Sequence, residues 1–298
     1  DRIPHEHRRE IRSLGIFLGW LLHTDLKQDN TLDMWVEDEG RHYVKHYLVD
    51  FGRALGTSGA LDARVAEGYR HYFDFEYFFK SLPALGLWRR PWEGAKVEAL
   101  EQVGNFNVEH YSPEKWRPHA PYVPLNFLDP LDSFWAAKKV IALTPDLLDA
   151  AATMAQYESE DAHHYVVKTL RGRAEKLARW AFSQVSPLDR FTHTEGQTCF
   201  KDLSHHYGLL KPGVQSTVEV STFDYEGAPL EETRSLPIDE TGRACFSEPM
   251  RGENKDGYTI VRLSVSRNNE ESSRPPVEVH LANSPSGEAR IIGVFRTY

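Results

Sequence analysis

The chain has 298 residues, enough for two domains, with 40% hydrophobic and 27% charged residues, which is ordinary for a globular protein. A net charge of −9 without a sustained basic run argues against a nucleic-acid or anionic-membrane surface, and no apolar run reaches the roughly 20 residues of a membrane span. The two cysteines, Cys199 and Cys245, form no metal-ligand pattern and leave the compartment open; they can pair or remain thiols.

In chain order, Ile11, Leu14, Leu18, Leu21 and Leu22 share one face of a predicted helix. It ends at the segment His23-Thr24-Asp25-Leu26-Lys27-Gln28-Asp29-Asn30. Residues 31–36 alternate and are β-prone, residues 37–40 (Glu-Asp-Glu-Gly) signal a turn, and residues 43–49 read as a second strand. The spacing predicts a hairpin running directly into Asp50-Phe51-Gly52. Helix capping and turn formation account for isolated Asp and Asn residues. They do not account for an apolar strand that ends in an acidic turn.

Residues 52–59 are expected to form a mobile, glycine-rich turn. Residues 69–80 are strongly aromatic, which suggests a core or docking surface, or, as a sharper alternative, an aromatic wall for a ligand. Residues 112–127 form a proline-rich connection anchored by Trp116, Tyr122 and Phe127. Helices are predicted from Asp129, from Thr144-Pro145-Asp146 and over residues 160–185. In the last of these, Tyr165, Val166, Leu170, Leu177 and Trp180 form the inner stripe, while Lys168, Arg171, Arg173, Lys176 and Arg179 read as a solvated basic face. After Pro187 the composition shifts. From Gly213 onward at least five short antiparallel strands separated by turns suggest a small β-sandwich.

The segment 23–52 has the residue order of a protein-kinase catalytic loop followed by its metal-binding Asp-Phe-Gly turn, and resembles it piece by piece. In that chemistry a base sits at the acceptor hydroxyl and magnesium neutralises the phosphates. Asp25 is the candidate base, and Lys27 could reach the transferred phosphoryl group. Asn30 and Asp50 offer hard oxygen ligands to magnesium, which needs few protein ligands because it keeps waters and nucleotide oxygens. His23 is expected to brace the loop without reacting.

The run from His46 to Gly56 resembles phosphatidylinositol kinases and HipA-type kinases, where an apolar strand carries the Asp of the Asp-Phe-Gly turn. Together with residues 4–10, 20–33 and 131–140 it is similar to a family of uncharacterised bacterial kinase-like proteins over about residues 1 to 190. The resemblance implies ATP and magnesium as cofactors, with Asp25, Asn30 and Asp50 at the base and metal positions. That family's catalytic loop often has no lysine, so Lys27 is carried by chemistry rather than by resemblance.

Only 22 residues precede His23, too few for a nucleotide-covering lobe with its glycine-rich loop, strand lysine and helix glutamate. The chain is therefore expected to be truncated before Asp1, to lack that lobe, and to turn over ATP poorly by itself. No activation segment ending in Ala-Pro-Glu is present, which weakens a protein acceptor.

These readings combine into an α+β chain. Residues 1–195 are a mainly helical kinase-like C-terminal lobe with a catalytic β-hairpin, and residues 196–298 are a small antiparallel β-sandwich-like domain. The expected function is the C-terminal part of an ATP- and magnesium-dependent phosphotransferase. Its partners are a nucleotide and an unknown phosphoryl acceptor, with no nucleic acid and no membrane span. The alternative is a pseudokinase or scaffold whose β-rich domain binds a protein partner. A third, weaker reading is a metal-dependent hydrolase with Asp33 as an added ligand. The paired histidines (His5 and His7, His163 and His164, His205 and His206) lack the spacing of a dedicated metal site.

Overall fold

The apolar stripe of residues 11–22 turns inward on two short helices, α1 (Arg9–Arg12) and α2 (Leu14–Leu21). The computed structural model describes residues 4–59, 61–71, 73, 75–85, 87–89, 92–93, 100, 102–247, 257–268, 270–271, 274–283 and 289–298. The break falls at Ser13, whose buried hydroxyl donates to the Asp132 carbonyl at 3.3 Å. Leu18 is buried with Leu26 and Tyr122, and Ile11 and Leu14 pack at the edge of that cluster.

Strands β1 (Thr31–Asp38) and β2 (Arg41–Leu48) pair antiparallel, with Thr31 opposite Leu48 and Asp38 opposite Arg41. Only Glu39 and Gly40 remain for the turn, at φ 48° and 74°. Two left-handed residues in a two-residue loop match the twist of the flanking strands.

The glycine-rich stretch after Asp50 carries a minimal ladder, β3 (Thr57–Ser58) with β4 (Leu61–Asp62). Gly56 has φ 93°, and a Cβ there would lie 2.6 Å from the Val103 carbonyl oxygen. The backbone passes too close for any side chain.

Helix α3 (Phe75–Ser81) buries none of its residues. The aromatic run at 69–80 is thus not a core element where it is described; Tyr72 and Asp74 lie outside the described residues. Of the three anchors read in the proline-rich connection, Tyr122 is buried, Trp116 is half-buried and Phe127 is exposed.

The remaining helices of the first half form where their caps predict. Helix α4 (Pro130–Ile141) starts with a capping box between Asp129 and Asp132. Asp132, fully buried, also takes a two-pronged bond from Arg12 that ties α1 to α4. Helix α5 (Pro145–Thr153) is capped by the Thr144 hydroxyl. Helix α6 (Glu160–Gln184) is the longest.

The basic face of α6 needs a correction. Arg173 is not solvated: it is buried at 2% exposure. Its guanidinium donates to the carbonyls of Gly19 (2.6 Å), Trp20 (2.7 Å) and Asn107 (2.8 Å) and stacks over the Tyr111 ring at 3.9 Å. Lys176 donates to the Val108 and Glu109 carbonyls. A helical charge pattern cannot distinguish a cation facing water from one facing a neighbour's carbonyls. Burial pulls the Arg173 guanidinium down to about 10, which still leaves it charged at neutral pH.

The chain divides into two compact units, Asp1–Leu177 and Ala178–Tyr298, with the boundary inside α6. In the second unit, β5 (Leu188–Thr194), β6 (Gln197–Asp202) and β9 (Arg243–Ser247) form one antiparallel sheet. The short helix α7 (Leu203–His206) follows β6, capped by the buried Asp202. The other sheet has the order β13 (Ala289–Arg296), β12 (Val277–Asn283), β10 (Tyr258–Arg267), β7 (Ser216–Phe223) and β8 (Arg234–Pro237). A short strand, β11 (Glu270–Glu271), pairs with β10.

The five strands read in the sequence are present, and β5, β6 and β9 add to them. Alternate residues of each strand turn inward, as period 2 requires. Val220, Leu263 and Val277 meet in register, and Phe200 and Phe246 of the smaller sheet join the same core. Cys199 and Cys245 stand opposite each other on β6 and β9 and form a disulfide, Cα to Cα 4.1 Å. The chain is α+β with antiparallel sheets, as expected.

Two outcomes are expected. Replacing Arg173 with Met removes the donors of three buried carbonyls and should destabilise the first unit by about 2–4 kcal/mol in urea unfolding; a change below about 0.5 kcal/mol would contradict its structural role. Reducing the bridge that closes a separation of 46 residues should lower the stability of the second unit by about 2–4 kcal/mol, measured as a denaturation midpoint with and without reductant.

Candidate functional site

Helix α2 ends with Leu22 in the left-handed region at φ 54°. The amide of Leu22 donates to Gly19 and that of His23 to Leu18, at 3.2 and 2.8 Å. This is a Schellman closure with leucine where glycine is usual. It turns the chain sharply into the loop. His23, Thr24 and Leu26 are buried there, while Asp25 and Lys27 reach the surface with side chains 20% and 41% exposed. Burying one set of loop residues fixes the direction of the other.

Asn30 closes the loop. A short 3-10 turn (Gln28–Asn30) brings its Nδ2 to 2.8 Å from the Asp25 carbonyl and 3.3 Å from Asp25 Oδ2. Both donor contacts of the amide thus go to Asp25, which leaves Oδ1 as an acceptor. The Asn30 carbonyl accepts from the Val49 amide at 3.0 Å. The hairpin therefore returns the chain to Asn30 one residue before Asp50.

Asp50 lies exposed in the left-handed region at φ 60°. Its Oδ1 accepts from the Gly52 amide at 3.3 Å, the short side chain making local turn contacts that permit this conformation. Phe51 packs on the buried His23 ring, centroids 5.1 Å apart, so the Asp-Phe-Gly turn rests directly on the loop.

Lys27 Nζ donates to Asp25 Oδ2 at 3.1 Å. Burial pushes the Asp25 carboxyl up, but its bonds to Lys27 and Asn30 and the charge of Arg53 outweigh that and hold it below the ordinary value of 3.8. The Lys27 ammonium is raised by the same pair. His23 is lowered by burial, against smaller raising effects from its backbone contact with Arg53 and from Asp25 and Asp50. At neutral pH the loop therefore carries an ionised Asp25, a charged Lys27 and a neutral His23.

The structure joins Asp25, Lys27 and Asn30 by direct hydrogen bonds and places Asp50 beside Asn30 through the backbone. Asp33 is elsewhere engaged: it pairs with His46 across the hairpin at 2.6 Å. Among the described residues no group of three or more His, Cys, Asp or Glu is arranged to hold a metal ion. Asn30 Oδ1 and the Asp50 carboxylate are the available hard donors, a set that fits magnesium completed by water and phosphate oxygens.

Sequence reasoning missed two neighbours. His119 lies 94 residues after Asp25, yet its amide donates to the Thr24 carbonyl at 2.8 Å and its Nδ1 accepts from Arg53 at 3.1 Å. Burial, then Arg53, lowers His119 to about 4, so it is neutral. Its Nε2 faces Glu67 Oε2 at 3.8 Å, and Glu67 is raised by its own burial. The position of Arg53 next to the Asp-Phe-Gly turn was a visible signal. His119 had none.

Comparisons with protein-family models, with curated proteins and with solved structures find no match to this chain.

The balance at Asp25 yields a prediction. Lys27→Ala removes a partner of a carboxyl that burial already pushes upward, so the Asp25 pKa should rise, as read by carboxyl NMR titration. An unchanged pKa would contradict the pairing. Because the folded carboxyl ionises more readily than the unfolded one, its contribution to stability is full above 3.8 and disappears as pH falls through the lower folded value. In Lys27→Ala the gap between folded and unfolded values narrows, so this contribution should be smaller and its acid loss should be complete at a higher pH.

Proposed function

We propose that residues 23–52 are the phosphate-handling half of an ATP- and magnesium-dependent phosphotransferase, with the first unit a kinase-like helical lobe and the second a small β-sandwich. The observation that carries this assignment is the double use of Asn30: its amide orients Asp25, while its carbonyl receives the strand that delivers Asp50. Two metal-binding oxygens and a base are thereby linked through one residue.

Asp25 is ionised and points outward, as a base for the acceptor hydroxyl must. In this assignment it takes the hydroxyl proton and Lys27 balances the charge beside it. Asn30 Oδ1 and the Asp50 carboxylate would hold magnesium, which supplies charge neutralisation for the phosphates when bound. Phe51 on His23 keeps the Asp50 turn seated on the loop. The hairpin and Phe51 leave apolar surface exposed, and with Ile11, Leu14 and Tyr122 they line a cavity of about 710 Å³. A layer covering a nucleotide would bury such a surface.

Calorimetric titration of Mg-ATP tests the assignment, on this chain and on the chain extended by whatever coding sequence precedes Asp1. Magnesium-dependent binding that Asp50→Ala abolishes, and that Asn30→Ala weakens at least about tenfold, is the expected result. No magnesium-dependent binding in either form would overturn it and leave the scaffold alternative.

A further inference from the structure

A second cavity, of about 260 Å³, lies on the Arg53 side of the loop. Arg53, Arg64 and Arg70 line it together with His71 and His119, and the acidic residues on its wall are Asp62 and Glu67. Guanidinium groups stay charged under all ordinary conditions and present planar forks suited to phosphate or carboxylate oxygens. Three of them facing one small space exceed the two carboxylates opposite. Burial also favours the neutral form of Glu67, which enlarges that excess.

The cavity is fastened to the catalytic loop at two points. His119, on its wall, bonds the Thr24 carbonyl, one residue before Asp25. Arg53, also on its wall, directly follows the Asp50-Phe51-Gly52 turn and donates to His119. With its Nδ1 accepting from Arg53, neutral His119 keeps its ring proton on Nε2, toward Glu67. Arg53 is thereby oriented by a group that does not cancel its charge. Arg70 lies over the Trp92 ring at 5.8 Å from its centroid, which restricts its side chain as well. The space walled by Arg53 and His119 is thus positive and partly preorganised.

We propose that this cavity binds an anionic group, a phosphate monoester in particular, carried by the phosphoryl acceptor whose hydroxyl lies at Asp25. Assigning the anion to an acceptor rests on the phosphotransferase assignment above; the anion site itself does not. The forked donors of three arginines suit the three oxygens of a phosphate better than the two of a single carboxylate. The phosphate can belong to a soluble phosphorylated alcohol or to a lipid headgroup, since both present the same three oxygens.

The test is calorimetric titration of inorganic phosphate into the full chain at low ionic strength, without magnesium or nucleotide. The wild type should bind. Arg64→Gln, at an exposed position that leaves folding undisturbed, and Arg70→Gln should each weaken binding about tenfold. Absent phosphate binding in the wild type, or equal binding in both arginine variants, would overturn the proposal.

The two assignments fail separately: phosphate binding without Mg-ATP binding would remove the phosphotransferase and keep the anion site, and the reverse would do the opposite. Titration of glycerol 3-phosphate, and sedimentation with phosphatidylcholine vesicles with and without phosphatidic acid, would identify the source. A preference that Arg64→Gln abolishes in either arm supports the site.

Discussion

The first unit depends on one buried cation. Arg173 reaches from the long helix α6 to the carbonyls of Gly19 and Trp20, at the end of α2, and to Asn107 in the connection that follows. A helix end leaves carbonyls without internal partners. Here the local cap reaches the Leu18 and Gly19 carbonyls, and a side chain about 150 residues away adds donors to Gly19 and Trp20. A neutral donor set could supply the hydrogen bonds but not the charge that complements the negative end of a helix dipole. The Trp20 indole completes the tie by donating to the Leu170 carbonyl on α6. The loop that begins at His23 therefore starts from a fixed point.

From that point outward the candidate site is built by local rules. Leu22 turns the chain, Leu26 anchors it, Asn30 closes it and the hairpin returns it. The helix, the hairpin and the turn after it were legible from short-range signatures: an apolar stripe, an Asp and Asn at turn spacing, and an Asp-Phe-Gly after a β-prone run; the left-handed Leu22 and the anchoring by Leu26 were not. The same holds for α4 and α5, whose Asp129 and Thr144 caps were readable, and for the alternating strands β7, β10 and β12. The turn of the hairpin fell within the expected four residues, narrowed to Glu39 and Gly40.

What could not be read from the sequence is long-range. Nothing around Pro118-His119 indicates a partner at Thr24, and nothing in the spacing of Arg173 separates it from Lys168, which is exposed. Cys199 and Cys245 were left open because two cysteines do not reveal whether they meet; they do because β6 and β9 pair in a register that places them opposite. Strand β9 was hidden as well. Its five residues follow the Asp-Glu-Thr-Gly turn and are too few to show a clear alternation on their own. The aromatic run at 69–80 was read as a core or a docking surface, and the core half of that reading fails because α3 stays at the surface. Composition predicts burial only where a partner surface exists.

The β1–β2 ribbon has a practical consequence. It is a two-stranded sheet with both outer edges unpaired in the described structure, and Leu32, Met34, Trp35 and Val44 are all more than two-fifths exposed, Trp35 reaching 69%. Open strand edges flanked by apolar side chains are templates for adhesion between chains. In concentrated solution the same ribbon that sets Asp50 beside Asn30 is also the surface where copies of the chain would meet, so solubility and site geometry are properties of the same sixteen strand residues.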